Sequence, residues 1–272
     1  MVSVCRSLSL VSTLLMGVGM FIAALDAHAE PAWPPARAYV LENLARHDIV
    51  FMGTTHKQPA ILTLIADLLP DLPGIGVTHI ALEIGSDQQT RLDRFMQKGV
   101  GLADISLHAA IDCPDYRRLL SSVQQMEDRS RPQVTALDLP PSNYTGDISR
   151  DEWMAQQLAD IFIRRPNAKV LVVLGSLHVL RKLEWLPPHG PRHAALRTYL
   201  TRMRPDLTMH SIVNIVDGQQ KGCDFSRAIK PVSAPVAVTM DQRFSNWRLG
   251  LTDCIAIAPA PPNELIDGII IY

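Results

Sequence analysis

The chain has 272 residues, 47% of them hydrophobic and 19% charged, with a formal net charge of −1. This composition excludes a disordered chain, a collagen and a coiled coil. The near-zero charge, with no run of Lys or Arg, gives no electrostatic footprint for nucleic acid or an anionic membrane.

The first residues read as an address rather than as fold. Arg6 supplies a basic start, Leu8 to Leu25 carries no charge, and Ala27-His28-Ala29 is a small-x-small cleavage site ahead of Glu30. That order predicts a signal peptide over 1–29 and an exported mature chain, periplasmic or secreted. The competing reading is an uncleaved membrane anchor, because the apolar run approaches spanning length. No Cys lies at the cleavage region to take a lipid, and no later segment is apolar enough to span a bilayer. Cys113, Cys223 and Cys254 remain after cleavage. Either Cys223 and Cys254 close a loop, worth about 3 to 4 kcal/mol on the chain-entropy model, or all three are small buried hydrophobes.

Residues 30–47 open Pro-rich and read as a leader. From Asp48 onward apolar runs alternate with amphipathic stretches. Asp48 to Gly53 predicts a strand, and Pro59 to Leu69, with Ile61, Leu62, Ile65, Leu68 and Leu69 at helical spacing, a helix. Further strands are expected at His79 to Ile84, Gln133 to Leu139 and Ala168 to Gly175, the last apolar throughout, as suits a strand buried on both faces. Between the second and third lie helical patterns at Gln88 to Gln97 and Tyr116 to Arg129, so that 86–131 reads as a small helical cap. Ser149-Arg150-Asp151-Glu152 is a capping box opening a helix over Arg150 to Ile163. Arg192 to Met203 reads as a helix, Leu207 to Val216 as a strand, and the tail from Val236 offers short strand-like pieces. The alternation implies one α/β domain over 48–272 with a mostly parallel sheet and flanking helices.

In such a sheet, ligands sit outside the carboxyl ends of the strands. The four strand ends reach Gly53-Thr54-Thr55-His56, Glu83, Asp138 and Gly175-Ser176-Leu177-His178. Two of them share a Gly-x-x-His arrangement, in which Gly permits a tight turn and His is presented at the sheet edge. Glu83 ends a buried strand and needs a partner, since a lone carboxylate there is costly to desolvate. Arg150 occupies the wrong end of a helix for a cation, which calls for an anion beside it, either Glu83 or a substrate oxygen. Asp151 and Glu152 are accounted for by the capping box. His79 and Glu83 stand about 13 Å apart on a strand and cannot share a metal, while His189 and His193 flank a solvated loop. His108 and His210 fit no pattern. The absence of GxSxG, P-loop and HExxH sequences removes serine hydrolase, nucleotidase and zincin readings.

GTTH after the first strand, ALEIG with Glu83, SRDEWMA with Arg150 and VLVVLGSLH together resemble the superfamily that joins TraB/Tiki proteins, erythromycin esterases and ChaN-type haem-binding proteins. The resemblance covers about Asp48 to Arg181. It implies that both GxxH motifs, the strand-end Glu and the helix-start Arg converge on one cleft. Two functions follow. One is an exported hydrolase acting on a small-molecule or peptide substrate. In its metal form His56, Glu83 and His178 hold a divalent ion that activates water. In its metal-free form His56 is the base, Glu83 orients it and Arg150 stabilises the oxyanion. The alternative is a ChaN-type haem-binding protein serving haem or iron uptake, with Tyr116 or Tyr144 as the axial ligand.

Overall fold

The computed structural model describes residues 33–145, 148–183, 194–216, 233–247 and 260–272. The proposed signal peptide, Cys223, Cys254, His189 and His193 lie outside them. Cys113 is a free thiol, and no helix of the described residues is long and apolar enough to cross a membrane.

Seven strands form one open sheet: β1 (Ile49–Thr54), β2 (His79–Gly85), β3 (Gln133–Asp138), β4 (Val170–Gly175), β5 (Met209–Ile215), β6 (Val236–Thr239) and β7 (Gly268–Ile271). Their spatial order is β3-β2-β4-β1-β5-β7-β6. All pairings are parallel except β6 with β7. This is the expected α/β architecture, and the predicted strands appear with their ends shifted by a residue or two.

Helices cover both faces because each strand is apolar on both. On one face lie α1 (Ala36–Arg46), α2 (Pro59–Leu68), α3 (Gln89–Lys98) and α4 (Pro114–Gln124), packing Ile65, Phe95 and Leu120 over Val50, Leu82 and Val173. On the other lie α5 (Arg150–Arg164), α6 (Leu196–Met203) and the short α7 (Pro262–Leu265), packing Leu158, Phe162 and Leu200 over Phe51, Val172 and Leu174. All six residues of β4 are buried, as its unbroken apolar run requires. Truncating one of these side chains to Ala removes about 2 to 5 kcal/mol of stability.

One segment differs in detail from the sequence pattern. The stretch read as a leader contains α1, whose Ala36, Tyr39, Val40, Asn43 and Leu44 are buried at i, i+3, i+4, i+7 and i+8. Its last carbonyls, on Leu44 and Ala45, together with that of His47, receive the ammonium of Lys169, which precedes β4. In the inserted segment, α3 and α4 join the helical layer. The loop between them, with Ser106 to Ala109, lies beside the ends of β2 and β3, against Asp138 and Tyr144.

Candidate active site

The four neighbouring strands β3, β2, β4 and β1 present at their carboxyl ends, in that spatial order, Asp138, Glu83 two residues before the end of β2, the Gly175 turn to His178 and the Thr54 turn to His56. Strand β1 hands the chain to α2 on one face, and β4 is followed by α6 on the other. The crevice between them is where ligands settle in open α/β sheets.

Both Gly-x-x-His turns are sterically determined. The N–H of His178 donates to the carbonyl of Gly175 at 2.9 Å, and Ser176 N–H donates to Thr54 O at 3.0 Å, tying one turn to the other. A β-carbon on Gly53 would stand 2.6 Å from Val179 Cγ2 and 2.9 Å from Ser176 Cα. On Gly175 it would meet the His56 ring, at 2.9 Å from Cε1 and 3.0 Å from Nε2, with Glu83 Oε2 at 3.4 Å. His56 thus lies over a bare backbone, which only glycine offers. The next residue, Lys57, has φ 61°, a left-handed conformation that a side chain adopts at a cost of order 1 kcal/mol and that recurs near functional sites. The carbonyl of Gly53 is held from the other side by Asn214 Nδ2 at 2.8 Å, and Tyr272 OH donates to Asn214 Oδ1 at 2.9 Å.

Glu83 is the hub. Buried at 6% exposure, it accepts from Gly175 N–H on Oε2 at 2.6 Å and from Arg150 Nη2 on Oε1 at 2.8 Å. His178 Nε2 stands 3.7 Å from Oε1. Burial opposes its charge, but His178, the Gly175 N–H, His56 and Arg150 outweigh that and hold the carboxyl below its ordinary range. Arg150 also makes a two-pronged pair with Asp138, Nε to Oδ1 at 2.8 Å and Nη2 to Oδ2 at 2.7 Å. The anion partner that its place at a helix start demands is therefore two carboxylates. Burial works against that guanidinium, yet the paired charges raise its pKa and keep it protonated.

His178 has a partner that the sequence pattern hid. Its Nδ1 meets Asp151 Oδ1 at 2.5 Å. Ser149 does cap α5, accepting from Glu152 N–H at 3.0 Å, which made Asp151 look sufficiently explained. Yet α5 sets Arg150 and Asp151, adjacent in sequence, on two different site residues. Burial would lower the His178 pKa; the hydrogen bond and charge of Asp151, with the charge of Glu83, raise it instead.

His56, Glu83, Arg150 and His178 are thus brought together, with Asp138 and Asp151 added. The carboxylates are buried and His56 faces solvent, so the site opens at its histidine side. The three-donor metal arrangement expected of His56, Glu83 and His178 is not formed: among the described residues no group of three His, Cys, Asp or Glu is arranged to hold an ion. Both Glu83 oxygens are already bonded to Arg150 and Gly175, and the His178 Nδ1 to Asp151.

The two tyrosines part company. Tyr116, on α4, is 5% exposed and its enclosed hydroxyl has no partner; burial, then the charges of Glu83, Cys113 and Asp138, raise its pKa well above 10. A hydroxyl sealed in packing is not placed to ligate haem iron. Tyr144 is 50% exposed and lines a cavity of about 280 Å³ with Asp87, Gln88, His108 and Asp138. That cavity lies just below the usual small-molecule range.

No protein-family model and no curated protein sequence matches the chain. Solved structures do. An erythromycin esterase superposes with a TM-score of 0.61 at 10% identity, over 86% of this chain and 92% of that one. A Bacillus cereus protein gives 0.58 at 12% identity over 86% and 90%. The haem-binding ChaN of Campylobacter jejuni gives 0.48 at 13% over 86% and 91%, too loose a likeness to weigh on the ligand. At these identities the first two establish a shared fold, which bears out the expected superfamily resemblance at that level.

Proposed function

We propose that the protein is an exported, metal-independent hydrolase of esters or related acyl compounds. The observation that carries this is the convergence of two histidines on one buried carboxylate, with one ring braced by a second carboxylate. Asp151 accepts from Nδ1 of His178, which leaves Nε2 as the lone pair facing the site. A water donating to both Nε2 and Glu83 Oε1 fits a 3.7 Å separation. His178 takes its proton as oxygen attacks the acyl carbon, Asp151 stabilises the imidazolium, and the freed hydroxide becomes part of the product acid. The His178 imidazolium then returns that proton to the leaving alkoxide, and His56 borders the reacting group on the solvent side. Arg150 keeps Nη1 outside its carboxylate bonds and faces the developing oxyanion. The base is thus His178 rather than His56, because among the described residues only His178 has a carboxylate bonded to its ring.

The test is a panel of esters and peptides assayed with and without chelator. Turnover of at least one acyl substrate, unchanged by chelator and reduced about 10²- to 10⁴-fold in His178→Ala, is expected. Absence of turnover on every substrate, or activity abolished by chelator, overturns the reading. Export is tested separately by sequencing the N-terminus of secreted material, with a start near Glu30 expected.

A further inference from the structure

The cavity beside Asp138 carries an inference that rests on the hydrolase reading and extends it to the substrate. It is lined by Gly85, Asp87, the loop Ser106 to Ala109, Leu139, Pro141 and Tyr144, and it shares Asp138 with the candidate active site. Asp138 is neutralised there by Arg150. Among the described residues, no Lys or Arg pairs with Asp87. Its Oδ2 accepts from Gln88 Nε2 at 2.7 Å, while the nearby Arg91 donates to Gln88 Oε1, at 2.8 Å, rather than to the carboxylate.

The local backbone is shaped to aim this carboxylate. A β-carbon at Gly85 would stand 2.6 Å from Asp87 Oδ1, so the aspartate folds back over a residue that has no side chain. Gln88, 6% exposed, also accepts on Oε1 from Ser106 N–H at 3.0 Å. One buried amide therefore joins Asp87 to the cavity loop. Tyr144 lines the same cavity, and its large aromatic ring is left half exposed there. A carboxylate held by a neighbouring amide, with no ion pair among the described residues, and an aromatic ring lining the same concave site supply the chemistry that recognises an organic cation.

The geometry points to this cavity as a subsite for an ammonium group on the substrate, placed so that the acyl carbon reaches Glu83 and His178. Tyr144 contributes its ring face and Asp87 its charge; the Tyr144 hydroxyl is not required.

The experiment compares kcat/KM for butyrylcholine and its neutral isostere 3,3-dimethylbutyl butyrate, and measures tetramethylammonium binding by NMR titration. The proteins are the wild type, Asp87→Asn, Tyr144→Phe and Tyr144→Leu, all substituted at exposed positions that folding tolerates. Expected are a cation preference of about tenfold, near one in Asp87→Asn, kept in Tyr144→Phe and reduced in Tyr144→Leu, with tetramethylammonium binding following the same order. Equal turnover of the two esters by the wild type overturns the subsite and leaves the hydrolase standing. Tetramethylammonium binding that depends on Asp87, without turnover of either ester, supports the subsite and leaves the hydrolase to be judged on the ester and peptide panel. Absence of both binding and a cation preference overturns the subsite.

Discussion

His178 and Asp151 meet through Nδ1 and Oδ1 at 2.5 Å, across the crevice between β4 and the start of α5. The aspartate fixes which nitrogen of the ring carries the proton and stabilises the imidazolium. Asp151→Asn keeps the shape and removes the charge. Activity is expected to fall about 10²- to 10⁴-fold. Because Asp151 raises the His178 pKa, the rising limb of the pH–rate profile moves to lower pH in the variant. A limb that stays in place would reduce Asp151 to a structural role.

Glu83→Gln is expected to harm both activity and folding. The amide keeps the volume of the carboxylate, but both oxygens accept from donors, Arg150 Nη2 and Gly175 N–H. Whichever way the amide turns, its NH₂ faces a donor and a buried N–H loses its acceptor. That costs about 1 to 3 kcal/mol, visible as a lower denaturant midpoint beside the lost turnover. An unchanged midpoint contradicts the bonding described.

Two glycines separate stability from activity. In Gly53→Ala the new methyl strikes Ser176 Cα, which is backbone, and Val179, so a loss of about 1 to 3 kcal/mol is expected from overpacking. In Gly175→Ala it strikes the end of the His56 side chain, which swings away with little cost to the fold. Thermal melts and turnover measured on both variants should therefore rank them in opposite orders.

Acid sensitivity follows from two buried rings away from the site. His79 and His210 are each lowered to about 4, chiefly by burial, with Arg165 adding to it at His79 and Asp267 opposing it at His210. The unfolded chain, with ordinary values near 6.5, binds more protons between pH 6.5 and 4. Stability contributed by the neutral rings is complete above pH 6.5 and is lost as the pH falls through that window, on the order of 2 to 3 kcal/mol per ring. His178 has the opposite sign, since its raised pKa adds stability that is lost as the pH rises through the folded value. Urea midpoints at pH 7 and pH 5 measure the first effect, and His210→Gln should flatten it, although it also replaces the Tyr39 hydroxyl contact at 3.0 Å.

The strand ends were legible because each is an apolar run stopped by a turn residue, and the chemistry of open sheets says where to look next. His56, Glu83, Arg150 and His178 emerged on that ground. Asp151 did not, because a first-turn acid is already satisfied by the helix dipole, and nothing local reveals the ring across the crevice. The bonds at Glu83 were hidden for a similar reason: the sequence supplies the donors, but not that Arg150 and a backbone N–H occupy its carboxylate. Helix α1 carries a plain helical periodicity in its buried residues, obscured by the prolines ahead of it. The ending of α4 at Gln124 also departs from the pattern, where Met126 N–H bonds to Val123 O and a turn on Glu127 follows.

The sheet order has a consequence for how the chain is made. Strands β1 and β2 never pair with each other; β4 lies between them and bonds to both. During synthesis the two leave the ribosome long before their shared neighbour does, each with an open, apolar edge that invites pairing with another chain. Only when residues beyond 175 have emerged can the central strand slot in, bringing His178 to Glu83. Fragments ending before Val170 are thus expected to aggregate, and the slow step of refolding to be insertion of β4, a pairing between segments distant in the chain.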